Sequence, residues 1–120
     1  MDRRDAEILI VEDDPSIAEL YAIRLRMDGY TVHHASDATT AQVIYDRTSP
    51  SVVCVDTRLP GGSGRGVATM FARRGATVVL LTNDQASFES PPEGVKLALL
   101  KARTSPSELT TAIRELTAQV

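Results

Sequence analysis

Four short stretches of the chain are apolar without interruption: Ile8-Leu9-Ile10-Val11, Val52-Val53-Cys54-Val55, Val78-Val79-Leu80-Leu81 and Leu97-Ala98-Leu99-Leu100. Continuous rather than alternating, they predict strands buried on both faces, the pattern of a parallel sheet. Tyr30-Thr31-Val32-His33-His34 mixes polar and apolar positions and predicts a weaker edge strand. The intervals read as helices. Asp14-Pro15 is an N-cap followed by proline at the first helical position, Ile17, Leu20, Tyr21 and Met27 form an apolar stripe, and Gly29 is a stop. Ala38, Ala41, Ile44 and Tyr45 predict a second helix closed by Ser49-Pro50, and a third runs from after Ser63 through Val67, Met70 and Phe71 to Gly75. Ser105-Pro106-Ser107-Glu108 opens the last helix with a capping box, ahead of Leu109, Ile113 and Leu116. Between Asn83 and Gly94 the pattern fails: Pro91-Pro92 interrupts it and Phe88 is the one large apolar residue, so a turn or two, or a loop, replaces a full helix. Strands alternating with helices predict an α/β domain, whose sites lie at the carboxyl ends of the strands near a topological switch point.

Composition narrows the function classes. The 120 residues suit one domain spanning 1–120. A single cysteine excludes a disulfide framework, and with two histidines it excludes a Cys/His zinc site. The polar start, Met1 to Glu7, and the lack of any apolar run near 18 residues predict neither a signal peptide nor a membrane span, hence a cytoplasmic location. The net charge of -3 carries no electrostatic footprint for nucleic acid.

The residue that follows each apolar run then matters. The first is followed by Glu12-Asp13-Asp14, the second by Asp56, the third by Thr82 and the fourth by Lys101. A polar residue ending a strand is often just the chain meeting water, and Asp14 is explained as a helix cap. The set as a whole places carboxylates, a hydroxyl and an ammonium on one rim. Glu12, Asp13 and Asp56 repel one another there unless something positive joins them. Lys101 offsets one charge, and a hard divalent cation such as Mg²⁺, which takes oxygen ligands, offsets more. Without Glu12, Asp13, Asp56 and Lys101 the chain holds 13 acids and 12 bases, so most of the surplus charge belongs to this rim. Loss of Asp13 should weaken Mg²⁺ binding, and loss of Asp2 or Asp5 should not. A carboxylate beside such a cation can act as nucleophile and form an acyl phosphate.

These residues resemble the receiver domain of two-component response regulators, of the chemotaxis and PhoB type, over essentially the whole chain. Ile8 to Pro15 is similar to the family's first strand and acidic pair, and Asp56-Thr57-Arg58-Leu59-Pro60-Gly61-Gly62-Ser63-Gly64 resembles its phosphoacceptor loop. Leu80-Leu81-Thr82 resembles the switch hydroxyl and Leu99-Leu100-Lys101 the lysine. The resemblance implies a flavodoxin-like five-stranded parallel sheet of order 2-1-3-4-5. It implies that Asp56 accepts a phosphoryl group from a histidine kinase or phosphotransfer protein. Mg²⁺ would be bound by Asp13, Asp56 and the Arg58 backbone carbonyl, with Glu12 acting through water. Thr82 and Lys101 would contact the phosphoryl group. The domain would be a switch with self-catalysed phosphoryl transfer and slow autodephosphorylation, rather than a metabolic enzyme.

Three positions depart from the family pattern. Ala98 stands where the family carries an aromatic residue three before the lysine. Ala102 replaces the proline after Lys101, so that peptide is either trans with a rearranged loop or a costly cis bond. Thr82 and Lys101 are only 19 apart, which predicts a shortened or absent fourth helix and a monomer or weak dimer lacking the helix 4–strand 5–helix 5 interface. A receiver-like interaction module that works irrespective of phosphorylation is the alternative these departures raise. Arg58 and Asp84 flank the site mouth and could close over it as a charged lid; the plainer reading is two solvated charges.

Other motifs fail on their own terms. A haloacid-dehalogenase phosphatase needs a second aspartate where Arg58 stands. The glycine cluster from Gly61 to Gly66 lacks the P-loop ending, the G-x-G-x-x-G frame breaks at Val67, and a nucleophile elbow around Ser63 breaks at Arg65. His33 and His34 lie on a strand rather than a phosphorelay helix, Cys54 reads as inert packing, and Arg73-Arg74 reads as a solvated helix end.

Overall fold

A computed structural model describes residues 6–60 and 62–118. The strands are β1 (Glu7–Val11), β2 (Thr31–Ala35), β3 (Val52–Asp56), β4 (Arg58–Leu59), β5 (Gly62–Ser63), β6 (Thr77–Thr82) and β7 (Leu97–Leu100). The helices are α1 (Pro15–Met27), α2 (Ala38–Thr48), α3 (Gly64–Arg73), α4 (Gln85–Glu89) and α5 (Pro106–Thr117). Five strands form one parallel sheet in the order β2-β1-β3-β6-β7, which is the expected 2-1-3-4-5 order once the small antiparallel β4–β5 pair is set aside. The order reverses between β1 and β3, so their carboxyl ends flank the crevice where this architecture builds its sites.

Local chemistry accounts for the helix boundaries. The Asp14 carboxylate accepts the amides of Ser16 and Ile17, ahead of Pro15 at the start of α1. Ser63 accepts from the Arg65 amide, which confirms it as the cap of α3. Ser105 and Glu108 form the complete capping box of α5, a feature worth about 1 kcal/mol per cap.

The sheet divides the core. On one face Ile8, Ile10, Cys54 and Val79 pack against Ala18, Tyr21, Ala22 and Leu25 of α1 and Leu109 and Ile113 of α5. On the other, Leu9, Val53, Val55 and Leu80 pack against Ala41 of α2 and Val67, Ala68 and Phe71 of α3. The two-faced burial read from the apolar runs holds for β1, β3 and β6 but not for β7. All four β7 residues are only half-buried, because β7 is an edge strand and the helix before it, α4, has just five residues. The shortened fourth helix is therefore present, and the Lys101–Ala102 peptide is trans, with residues Lys101–Arg103 turned into a short 3₁₀ segment. Arg74 is more than a solvated helix end: it pairs with Asp46 and lies 4.4 Å over the Tyr45 ring, joining α3 to α2. Asp2 and Asp5 lie outside the described residues.

Candidate functional site

Four strand ends meet at one cavity of about 300 Å³, lined by Glu12, Asp13, Asp56, Arg58 and Lys101 among others. Glu12 and Asp13 follow β1, and Asp56 is the last residue of β3 itself. Glu12 and Asp56 are buried, whereas Asp13 is exposed. Lys101, at the end of β7, donates from Nζ to Glu12 Oε1 and, at 2.9 Å, to Asp56 Oδ2. The other Asp56 oxygen accepts the Arg58 amide at 3.1 Å, and Glu12 Oε2 accepts the Asp14 amide at 3.2 Å. Each buried carboxylate is thus held by one cation and one backbone amide.

The electrostatics follow from crowding. Burial raises the Glu12 carboxyl to about 7, with Asp56 and Asp13 pushing the same way and the Lys101 bond opposing them. Burial acts to lower the Lys101 ammonium, yet its bonds to Glu12 and Asp56 outweigh that and leave it above its ordinary value. The Lys101 shift, and the smaller share of the Glu12 shift that comes from Asp56 and Asp13, express the negative charge gathered around one lysine. Glu12, Asp13 and Asp56 each offer a carboxylate oxygen, all within 4.8 Å of one another. An all-oxygen donor set of that charge fits a hard divalent cation.

The loop after Asp56 is shaped by a glycine. A Cβ at position 64 would stand 1.9 Å from the Asp56 carbonyl oxygen and 2.5 Å from the Thr57 Cα. The Gly64 amide bonds the Thr57 carbonyl at 3.1 Å, so β4, β5 and the start of α3 fold directly back onto the end of β3. The matching of glycine at this position therefore reflects a close backbone approach.

Thr82 is brought near but not into the cavity. It is fully enclosed, and its hydroxyl meets Thr57 Oγ1 at 2.9 Å and the Asp84 amide at 2.9 Å. The charged lid raised for Arg58 and Asp84 is not formed: among the described residues Arg58 has no ion pair with Asp84. Asp84 instead caps α4, accepting from the Ser87 hydroxyl at 2.7 Å and the Ser87 amide at 3.3 Å. Those bonds, the hydroxyl's first, hold its carboxyl below the ordinary value. Arg65 completes this network, reaching Ser87 Oγ at 3.0 Å and the Ser90 carbonyl at 3.1 Å. The plainer reading, two solvated charges, fits Arg58, which is exposed and has no ion pair among the described residues, but not Asp84, whose carboxylate caps α4.

Two site residues escaped the sequence pattern. Thr57 adjoins Asp56, and its hydroxyl was the available signal. Asn83 lines the cavity and accepts the Ala102 amide at 2.9 Å, a bond that a proline at position 102 could not donate. The remaining candidates are structural. His33 pairs with Glu7 at 2.9 Å, His34 Nε2 donates to the Glu12 carbonyl at 2.7 Å, and burial pushes the Cys54 thiol up to about 12.

Comparison with known proteins agrees with this fold. Residues 8–114 match the family described as the response regulator receiver domain. The sensory transduction protein RegX3 of Mycobacterium tuberculosis is 30% identical over 113 residues, 94% of this chain and 48% of that protein. The DNA-binding response regulator MtrA of Mycolicibacterium smegmatis is 36% identical over 83 residues, 68% of this chain and 36% of that protein. The chain thus spans about half the length, or less, of these curated relatives. Among solved structures, the response regulator protein TrrA of Thermotoga maritima, in complex with Mg(2+)-BeF, superposes with a TM-score of 0.82 at 25% identity, covering 92% of this chain and 98% of that one.

Proposed function

The chain belongs to the response regulator receiver domain family, a family of signalling domains, and from that premise we propose that Asp56 is its phosphoacceptor. The donor is the phosphohistidine of a sensor histidine kinase or phosphotransfer protein. An Asp56 carboxylate oxygen attacks the phosphorus, the phosphorus–nitrogen bond of the donor breaks, and an acyl phosphate forms on Asp56. The observation that carries this reading is the Lys101 ammonium shared between Asp56 and Glu12 in an acidic cavity.

This chain's own groups divide the work. The Arg58 amide, bonded to Asp56 Oδ1, fixes the carboxylate, leaving Oδ2 facing the ammonium. Lys101 neutralises charge on the transferred group's oxygens, and its second partner, Glu12, keeps it in place beforehand. Mg²⁺, which Glu12, Asp13, Asp56 and the Arg58 carbonyl would hold, supplies further neutralisation of the phosphoryl charge. Thr82 donates its hydroxyl to the phosphoryl group once that group is in place. Hydrolysis returns the domain to rest, so the domain works as a timed switch in the cytoplasm rather than as a metabolic catalyst. With an intact charged cavity, phosphorylation-independent interaction is not needed to explain the residues present.

Output does not use a swinging aromatic, since Ala98 occupies that place among the half-buried residues beside Leu80. A five-residue α4 leaves little for a helix 4–strand 5–helix 5 dimer, so the domain acts as a monomer or weak dimer. Phosphorylation by acetyl phosphate with Mg²⁺, read by mass, tests the assignment: the wild-type chain gains one phosphoryl group and Asp56→Asn gains none.

A further inference from the structure

We propose that Thr57 is a positioning residue that holds the Thr82 hydroxyl on itself in the resting protein, and so sets how firmly the switch hydroxyl grips a phosphoryl group on Asp56. This rests on the phosphoacceptor reading above. The argument is one of proton accounting. Thr82 is fully enclosed, and its Oγ1 has two partners among the described residues, the Asp84 amide and Thr57 Oγ1, both at 2.9 Å. An amide only donates. A hydroxyl carries one proton, and buried hydroxyls find acceptors. The Thr82 proton therefore goes to Thr57 Oγ1, with the Asp84 amide filling a lone pair of Thr82.

Thr57 is placed for this task. It lines the acidic cavity with Asp56 and also the neighbouring polar cavity with Asp84 and Ser87. It is half-buried, so its own proton has solvent-side partners. For Thr82 to donate to a phosphoryl oxygen it must give up Thr57, so the two acceptors compete for one proton. The same hydroxyl receives the amide of Asp84, whose side chain caps α4. Turning Thr82 thus pulls on the α4 cap directly, a route that does not pass through position 98.

The test uses an isosteric change. Thr57→Val keeps the shape and removes the resting acceptor. Two readings are taken: the affinity for beryllium trifluoride with Mg²⁺, and the acyl-phosphate lifetime after loading with acetyl phosphate. Thr57→Val is expected to bind beryllium trifluoride about tenfold more tightly and to hold its phosphoryl group longer by a similar factor, because a Thr82 hydroxyl turned away from the bound group is now unpaired, in the resting and in the phosphorylated protein alike. Thr57→Ser, which retains an acceptor, restores wild-type values. In a Thr82→Val background, Thr57→Val changes neither reading, whereas a purely structural role for Thr57 would act in both backgrounds. Thr57→Ala serves the same comparison should the valine variant not fold. Wild-type values in Thr57→Val, a weaker affinity, or a gain that persists without the Thr82 hydroxyl each overturn the proposal. A wild-type chain that binds no fluoride and gains no phosphoryl group overturns the phosphoacceptor reading itself; a wild-type chain that does both while Thr57→Val matches it overturns only the role of Thr57.

Discussion

β3 and β7 each deliver one charged group to the same cavity, and they do so from very different surroundings. β3 lies between β1 and β6, all five of its residues are buried, and the Asp56 amide-bonded carboxylate sits at its end. β7 has one neighbouring strand, four half-buried residues and a five-residue helix ahead of it, and Lys101 leaves it into a 3₁₀ turn. The proposed phosphoacceptor, Asp56, is therefore fixed by dense packing, while its counter-charge arrives on the thin side of the molecule and is located chiefly by the two carboxylates it serves.

The comparison can be broken from the rigid side first. Gly64→Ala inserts a Cβ where the Asp56 carbonyl already stands. It should destabilise the chain by about 3 kcal/mol or more in urea unfolding and abolish phosphoryl uptake, since the loop cannot stay folded against β3. A smaller but still large asymmetry should appear between two phenylalanines. Phe71 of α3 is fully buried, and Phe71→Ala is expected to cost about 3–5 kcal/mol. Phe88 of α4 is only half-buried, and Phe88→Ala should cost about 1 kcal/mol in the same titration. Equal costs would contradict the thin-side picture.

The cavity itself is probed next. Asp13→Ala should lower Mg²⁺ affinity by about tenfold or more, because the charge it removes lies within 4.8 Å of two others, while Glu93→Ala on the exposed loop should leave affinity unchanged; isothermal titration distinguishes the two. The smallest effect concerns Cys54, one residue pair from Asp56 on β3. With the thiol pushed up to about 12 by burial, the thiolate is scarce at pH 8, so the native chain should resist alkylation and react only after denaturation.

Much of the rigid side was legible in the sequence, and the reason is physical. Ile8 to Val11, Val52 to Val55 and Val78 to Leu81 are apolar at every position because both sheet faces are covered, and a polar residue, Glu12, Asp56 or Thr82, itself buried, follows each run. Caps at Asp14, Ser63 and Ser105 are local chemistry and were readable for the same reason. The thin side was legible only in outline. Leu97 to Leu100 has the same apolar pattern as the buried strands, and nothing in four residues shows that one neighbour is missing. Pro91-Pro92 did announce a short helix. The site's charged members followed from their places at strand ends, but side-chain partners did not. That Asp84 caps α4 through Ser87 rather than meeting Arg58, that Asn83 reaches the Ala102 amide, and that Thr57 receives the Thr82 hydroxyl all depend on rotamers and loop paths that spacing does not encode.

The central claim, that the buried carboxylate on β3 is a phosphoacceptor activated by the charges around it, is tested most directly by intact mass after incubation with acetyl phosphate and Mg²⁺. The account predicts one added phosphoryl group on the wild-type chain, lost when Mg²⁺ is chelated before the donor is added and absent from Asp56→Asn. No gain in the wild type, or an equal gain in Asp56→Asn, would contradict it.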